Sequence, residues 1–294
     1  MKKKILISAA NGIIMESLIK ILRKSFYVVG IDSQNLGNAK NYCDEFYLSP
    51  DGSSKKFINF LHKISYKVDL IFLFVDEEIR NVNNNRTKLS KIKKKLILSD
   101  FKTIDICTNK KKTSDFFYNS KINLPTETYS EKMIAKPVFG RGSKNLFYIN
   151  NKKDFLFFKR KKSFIVQNLI KGKEYTSDCI FNNKGELIFS LTRERLVHRG
   201  VSIVGKVVRE ENVRKKIILI SKLLNFYGPI NMQFIKDGSG KIWLIEINPR
   251  LSGSIEFSIK AGFNPLFYFK ENKFKKPKIK YNSVFIRHFI SSLK

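Results

Sequence analysis

The sequence predicts an α/β domain with a parallel, Rossmann-like sheet, followed by an α+β region of antiparallel hairpins. The apolar strand patterns at Ile5 to Ser8 and at Leu70 to Val75 alternate with helical patterns. These helical patterns run from Ile13 to Arg23 and from Phe57 to about Tyr66. Continuous apolar strands that alternate with helices are typical of parallel sheets covered by helices on both faces. Beyond about residue 100, short strand patterns separated by glycine turns predict hairpins instead.

Two further helices interrupt the strand-rich region. The periodic patterns predict them at Lys152 to Lys159 and at Glu211 to Phe226. Just before this region, another helical pattern ends at Leu124-Pro125, because proline cannot continue a helix. The order of elements is therefore α/β first and α+β second, without an internal repeat.

Composition narrows the class of protein. The 294 residues carry 57 basic and 25 acidic side chains, a formal net charge of +32, which would favour a polyanionic partner. The lysines are spread along the chain, so we expect a solvated basic surface and disfavour a nucleic-acid partner. No stretch approaches the roughly 20 apolar residues that a bilayer crossing needs, so we expect a cytoplasmic protein without membrane contact. The three cysteines stand far apart, which favours a reducing compartment over disulfides or a zinc cluster.

The predicted parallel sheet also indicates where a ligand binds. Ligands of such sheets lie at the carboxyl ends of the strands. In this chain those ends lie near Ser8, Asn11, Asp76 and Glu77, which we assign to a substrate pocket. The alternative near Ser8 and Asn11 is a plain tight turn.

Two segments of the second half could surround a nucleotide. In "AKPVFGRGSKN", Lys136 ends a strand, and the glycines Gly140 and Gly142 free backbone amides that can wrap phosphate oxygens. An ordinary hairpin turn is the alternative. In "VQNLIKGKEYTSD", a strand edge could pair with adenine, and Glu174 could accept hydrogen bonds from ribose hydroxyls.

The segment "IWLIEINPRLSGS" changes from apolar to polar along one strand. Side chains alternate between the two faces of a strand, so polar residues at every second position share one face. The predicted face consists of Ile242, Leu244, Glu246, Asn248 and Arg250.

A hairpin with the preceding strand would bring Gln233 close to Glu246 and Asn248. These three side chains offer oxygen ligands of the kind that suits Mg²⁺ bound jointly with phosphates. Arg250 could then stabilise a phosphoryl group in transfer. The alternative is a solvated strand end whose polar residues mark its exit into a loop.

Arginines alternate in "LTRERLVHRG". Arg193, Arg195 and Arg199 follow a strand and could hold an anionic substrate or a γ-phosphate. They could equally be surface charges in a chain rich in lysine and arginine.

Taken together, these motifs resemble the ATP-grasp superfamily, in its carbamoyl-phosphate-synthetase-like branch. The hairpin "Q…E-x-N-x-R" is specific when a Lys-Pro glycine loop precedes it at this distance, and the resemblance covers essentially the whole chain. It implies a pre-ATP-grasp α/β domain at 1–100, a small lid subdomain at 101–165 and a large subdomain at 166–294. Residues implied to bind the nucleotide are Lys110, Lys136, Gly140, Arg141, Gly142, Ser143, Gln167, Asn168, Leu169, Ile170 and Glu174.

The resemblance also implies the remaining roles. Gln233, Glu246 and Asn248 would bind Mg²⁺, with Mn²⁺ as an alternative, and Arg250 would stabilise the transferring phosphoryl group. Arg193 and Arg195 are assigned to catalysis, and Arg199 to the substrate. The chain departs from the family pattern at Gln167, where glutamate is common, at Asn145, where glycine is frequent, and at "VHRGV", where many relatives carry an acidic residue. This last departure leaves the acceptor open.

The implied activity is that of a carboxylate–amine ligase that forms an amide through an acyl phosphate. Its partners would be a small carboxylate and an amine, and a homodimer is an option. One alternative is a basic nucleic-acid-binding protein, whose affinity would depend steeply on salt. The other is a nucleotide-sugar or dinucleotide enzyme that uses the first βαβ unit. The absence of a GxGxxG sequence counts against it.

Overall fold

The computed structural model describes residues 1–140, 142, 145–271 and 274–288. Within these ranges the strands form three sheets. None of the helices found there combines the length and the apolar composition that crossing a membrane would require.

The first part of the chain folds into a parallel sheet covered by helices. Its elements are β1 (Lys4–Ile7), α1 (Met15–Leu22), β2 (Tyr27–Asp32), α2 (Ala39–Tyr42), β3 (Glu45–Leu48), α3 (Lys55–Ile64), β4 (Leu70–Phe72) and α4 (Asp76–Asn84). The strand order is β3-β2-β1-β4 and every pairing is parallel, so the predicted sheet is confirmed. Helix α1 buries Met15, Leu18, Ile19 and Leu22, the spacing that places one apolar stripe against a sheet.

The second part contains a three-stranded antiparallel sheet. Its elements are α5 (Phe101–Cys107), α6 (Lys110–Phe117), β5 (Met133–Pro137), β6 (Phe147–Ile149), α7 (Lys152–Lys159) and β7 (Phe164–Asn168). The bounds of α7 are those predicted, whereas α6 ends seven residues before Leu124. The strand order is β6-β5-β7. The predicted border between residues 165 and 166 falls inside β7, and the division into three regions stays a prediction.

The third part contains a six-stranded sheet with the order β12-β11-β8-β9-β10-β13. Its elements are β8 (Lys173–Phe181), β9 (Leu187–Arg199), β10 (Val201–Val208), α8 (Glu211–Ser221), β11 (Gly228–Lys236), β12 (Ile242–Asn248), α9 (Ile255–Lys260), α10 (Tyr268–Glu271) and β13 (Val284–Ile286). All of its pairings are antiparallel, as the glycine turns predict. Helix α8 ends before the predicted Phe226, whose side chain lies in the core.

One apolar core joins the first and third parts. It contains Ile7 of β1 together with Ile180 of β8 and Leu191 of β9. The rings of Phe72 and Phe269 meet edge to face, with centroids 5.4 Å apart. This packing brings the carboxyl end of β4 and the start of α4 to the end of β12.

Candidate functional site

One cavity of about 450 Å³ collects most of the predicted nucleotide-binding residues. It lies between the three-stranded sheet, which contributes β5 and β7, and the six-stranded sheet, which contributes β8, β9, β11 and β12. Its volume falls in the range of roughly 300–1,000 Å³ that is typical of small-molecule sites. The predicted residues that line it are Lys110, Lys136, Gly140, Gly142, Gln167, Asn168, Leu169, Ile170, Glu174, Arg195, Gln233 and Glu246.

The hairpin of β11 and β12 places Gln233 opposite Glu246, as the sequence predicts. Glu246, Asn248 and Arg250 lie together as predicted, since Nδ2 of Asn248 donates to Oε2 of Glu246 at 3.4 Å and Oδ1 of Asn248 accepts from Nη2 of Arg250. Placing Ile242 and Leu244 on the same face as these three is wrong, because a β-bulge interrupts the ladder. Gln233 of β11 pairs with Glu246, and the next residue of β11, Phe234, pairs with Leu244. Ile245 is therefore the extra residue of the bulge. As a result Leu244 and Ile247 both lie in the core, whereas Glu246 lines the cavity. Regular alternation would have turned Glu246 toward the core with Leu244.

Two lysines and a carboxylate form the polar end of the cavity. Nζ of Lys110 lies 2.9 Å from Oε1 of Glu246 and donates to the carbonyl of Gly140 at 2.8 Å. Burial lowers the pKa of Lys136 to about 8, the charge of Lys110 acts in the same direction, and Glu246 and Glu127 oppose both. Two cations that share one carboxylate leave this end positive, which suits the oxygens of a polyphosphate.

The three predicted metal ligands each face a cation. Glu246 has the lysine partner just described, Oε1 of Gln233 accepts a hydrogen bond from Nη1 of Arg195 at 3.5 Å, and Oδ1 of Asn248 accepts one from Nη2 of Arg250 at 3.2 Å. The set offers one carboxylate and two amide oxygens, hard ligands that suit Mg²⁺ when phosphates complete its coordination. Over the described ranges, no group of three or more His, Cys, Asp or Glu side chains could hold a metal ion. A metal at this place therefore depends on amide oxygens and on the substrate.

Arg250 is held by a carboxylate from the first part of the chain. Its Nε donates to Oδ1 of Asp76 at 2.6 Å and its Nη2 to Oδ2 at 2.9 Å, while Nη1 donates to the carbonyl of Leu251 at 3.0 Å. Burial acts to lower the pKa of Arg250, but the charge of Asp76 and its hydrogen bonds, with Glu246 and Glu77, raise it above its ordinary value. The guanidinium therefore stays charged, and α4 determines its direction.

Glu174 also lines the cavity. Its Oε2 accepts a hydrogen bond from Nη1 of Arg195 at 3.0 Å, and its Oε1 lies 3.6 Å from Nε2 of His198. Burial lowers the pKa of Arg195, and the charge of Glu174 counteracts it. Arg195 therefore links the predicted ribose acceptor to Gln233.

The predicted hinge, Gln167 to Ile170, lines the cavity at the end of β7. The side chain of Gln167 is buried and its Nε2 donates to the carbonyl of Pro125 at 3.4 Å. The N–H of Leu169 donates to the carbonyl of Lys132 at 3.0 Å. These contacts hold the segment in place, and they also mean that the N–H of Leu169 already has an acceptor.

Two of the residues predicted for the substrate pocket have internal roles instead. Ser8 is fully buried, donates to a carboxylate oxygen of Glu78 and accepts from the N–H of Phe74. Asn11 connects two loops, since its Nδ2 donates to the carbonyl of Gln34 at 2.7 Å and its Oδ1 accepts from the N–H of Ala39 at 2.9 Å. Neither residue lines the cavity described above.

Arg193 also lies away from the cavity. It is 1% exposed and its Nη2 donates to Oδ2 of Asp178 at 2.7 Å, so it forms a buried ion pair and does not line the cavity. Oε1 of Glu77 lies 3.7 Å from Nη2 of Arg80, one turn later on α4. The predictions for Arg141, Ser143 and the side chain of Arg199 fall outside the described part of the structure.

Sequence reasoning missed several residues of the site. Tyr148 and Leu146 line the cavity together with Ile134 and Ile235, and they provide apolar surface for a planar ring. Their only signal is an apolar side chain at a strand position, which also describes core residues. His198 stands beside the alternating arginines, but a single histidine without a neighbouring partner in the sequence gave no signal.

Comparisons with known proteins agree with this arrangement. A family model of the ATP-grasp domain matches residues 107–254, and a model of the PylC-like N-terminal domain matches residues 5–97. The chain is 25% identical over 214 residues to the carbamoyl phosphate synthase large chain of Caldanaerobacter subterraneus subsp. tengcongensis. That match includes 62% of this chain and 20% of the relative, so the chain spans about a fifth of the relative's length.

Two solved structures are similar over most of the chain. N5-carboxyaminoimidazole synthetase from Staphylococcus aureus, complexed with ADP, has a TM-score of 0.72 at 18% identity, covering 92% of this chain and 77% of that chain. The L-amino acid ligase from Bacillus licheniformis has a TM-score of 0.68 at 14% identity, covering 89% of this chain and 71% of that chain. At these identities the similarity shows a shared fold.

Proposed function

Because the chain belongs to the ATP-grasp family, we propose that it is an ATP- and Mg²⁺-dependent carboxylate–amine ligase. Its substrates would be an amine and a small carboxylate, either a metabolite or an amino acid. The observation that carries the proposal is the meeting of Lys110, Lys136, Gln233 and Glu246 in one cavity, although they belong to four different elements.

The proposed reaction has two steps. An oxygen of the carboxylate substrate attacks the γ-phosphorus of ATP, the bond from that phosphorus to the β,γ-bridging oxygen breaks, and ADP leaves. The amine then attacks the acyl carbon, the bond to the phosphate oxygen breaks, and inorganic phosphate leaves while the amine nitrogen loses a proton to solvent. The protein contributes mainly position and charge.

The proposed roles follow from charge and location. Lys110 and Lys136 bind phosphate oxygens, and Arg250 stabilises the phosphoryl group as negative charge develops on it. Arg195 holds Glu174 through a hydrogen bond, and Glu174 accepts hydrogen bonds from the ribose hydroxyls. The apolar wall and the hinge hold adenine.

Gln233, Glu246 and Asn248 would hold Mg²⁺, or Mn²⁺ in its place, which when bound neutralises phosphate charge. In the structure the oxygens of these side chains accept from, or pair with, Arg195, Lys110 and Arg250. We expect these cations to turn toward the phosphates once a metal binds the oxygens. The donor set of one carboxylate and two amide oxygens thus fits the metal.

The acceptor side is proposed to lie near Asp76 and Glu77, at the start of α4. Asp76 reaches the end of β12 through its hydrogen bonds with Arg250, which supports a contribution of the first domain to the pocket. A reducing compartment such as the cytoplasm is part of the proposal, and the three buried, unpaired cysteines support it.

Phosphate release tests the function. Purified protein receives MgATP with a panel of amino acids and small carboxylates, each combined with an amine donor. We expect release that requires one carboxylate–amine pair, and a loss of about 100-fold in Glu246→Ala, by analogy with the size of metal-site defects. Glu131→Ala, at an exposed carboxylate away from the cavity, is the matched control. Absence of ATP binding, or wild-type rates in both Glu246→Ala and Arg250→Ala, would refute the proposal.

A further inference from the structure

A buried network of charged and hydroxyl side chains lies behind the end of β12. Arg193 on β9 donates from Nη2 to Oδ2 of Asp178 on β8 at 2.7 Å. It also donates from Nη1 to Oγ of Ser254 at 2.9 Å and from Nη2 to Oγ of Ser252 at 3.4 Å. Both serines belong to the loop that follows β12 and contains Arg250. One guanidinium therefore connects the middle of the sheet to this loop.

The same network supports the position of Asn248. Asn231 lies opposite Asn248 in the ladder of β11 and β12, and its Nδ2 donates to Oδ1 of Asp178 at 3.2 Å. Ser258 at the next helix, α9, donates to Oδ2 of Asp178 at 2.6 Å. Asp178 thereby joins β8, β11 and α9, and Arg193 adds the loop. These contacts fix the end of β12 and the loop after it, and with them the proposed site residues Asn248 and Arg250.

Stability alone does not account for these charges. Arg193 and Asp178 are 1% and 2% exposed. Moving two charges out of water costs free energy, and a pair of apolar side chains of similar volume often stabilises a protein at least as well. Nε of Arg193 lacks a hydrogen-bond partner among the described residues, which adds to that cost. Directed hydrogen bonds from a charged group restrict the orientation of the groups that they contact.

We infer that Arg193 is a positioning residue, which holds the loop of residues 250–254 and thereby sets the positions of Asn248 and Arg250 beside Glu246. The inference rests on the proposed function, since that function gives Arg250 and Asn248 their roles. It replaces the expectation that Arg193 touches a reacting group. Arg195, two residues later on the same strand, lines the cavity itself.

The test combines turnover with amide hydrogen exchange. Arg193→Met removes all donors, Arg193→Lys keeps the charge, and the double variant Ser252→Ala/Ser254→Ala removes the acceptors in the loop but leaves the ion pair. Arg86→Met is the matched control, since Arg86 is a partly buried arginine of the first domain that donates to the carbonyl of Ser99 and to Oδ1 of Asn83.

For Arg193→Met we expect kcat to fall about 100-fold and the Mg²⁺ concentration for half-maximal rate to rise about tenfold, the size seen when supporting partners of metal sites are removed. The KM for ATP should change less than about threefold, because the nucleotide wall is untouched. The kcat and the Mg²⁺ dependence of Arg193→Lys and of the double serine variant should lie between those of Arg193→Met and wild type. Exchange should accelerate at residues 250–254 in all three variants and stay unchanged there in Arg86→Met.

Two results would overturn the inference. One is unchanged exchange at residues 250–254 in the folded Arg193 and serine variants. The other is wild-type kcat and Mg²⁺ dependence in variants that lose only thermal stability. If Arg193→Met does not fold, Arg193→Lys and the serine variant decide the question. A wild-type protein that releases no phosphate contradicts the proposed ligase activity, while the exchange data still decide whether Arg193 holds the loop.

Discussion

Replacing Lys136 with methionine is expected to stabilise the protein while weakening its affinity for ATP. Burial, followed by the charge of Lys110, lowers the pKa of Lys136 from 10.5 to about 8. Because one pKa unit is worth about 1.4 kcal/mol, the charged side chain costs the folded state about 3 kcal/mol at neutral pH. Methionine has a similar length and carries no charge, so it removes this cost.

The sign of the pH dependence follows from proton binding. Between pH 8 and 10.5 the unfolded chain, in which Lys136 has its ordinary pKa, binds more protons than the folded protein. The free energy of unfolding therefore rises with pH in that window. Below pH 8 the charged Lys136 destabilises the folded state by its full cost. The advantage of Lys136→Met should shrink from about 3 kcal/mol at pH 7 to about 1 kcal/mol at pH 9.5.

Urea denaturation of both proteins at the two pH values measures this difference. Lys132→Met, at an exposed lysine just before β5, is the matched control and should match wild type at each pH. A Lys136→Met protein that is less stable than wild type at pH 7, or a stability difference that does not change with pH, would refute the reasoning.

Three further changes probe the site. The affinity of wild type for MgATP should fall about tenfold from pH 7 to pH 9 as Lys136 loses its proton, whereas Lys136→Arg should show a flat profile in calorimetric titrations. Asp76→Asn should lower the free energy of unfolding by about 2 kcal/mol and reduce kcat, because Arg250 loses its carboxylate partner; an unchanged kcat would argue against α4 as the element that orients Arg250. Glu174→Gln should raise the KM for ATP about tenfold with little change in kcat, and a selective effect on kcat would exclude a ribose contact.

Local sequence patterns were enough to predict the order and type of most helices and strands. The parallel sheet follows from apolar runs separated by helical periods, and the bounds of α7 follow from its polar flanks. The hairpin that pairs Gln233 with Glu246 follows from two strands and a glycine turn. The short strand β3 escaped prediction because it is partly exposed and its apolar run, Phe46 to Leu48, is too short to indicate a strand by itself.

The details of the site depend on pairings that no local pattern contains. The bulge at Ile245 arises from the match between β11 and β12, and it decides that Glu246 faces the cavity. Arg193 and Arg195 look equivalent in the sequence, and only Asp178, on the neighbouring strand, distinguishes the buried one. The partner of Arg250 is Asp76, 174 residues earlier in the chain.

The fate of a carboxylate oxygen tests the central claim most directly. With the stimulating carboxylate labelled with ¹⁸O at both oxygens, the proposed acyl phosphate transfers one labelled oxygen to each inorganic phosphate formed in the presence of the amine. Mass spectrometry of the released phosphate should show a single ¹⁸O in every product molecule. Suppose that amide formation and phosphate release proceed at the same rate and the released phosphate carries no label. This result would contradict attack of the carboxylate on ATP.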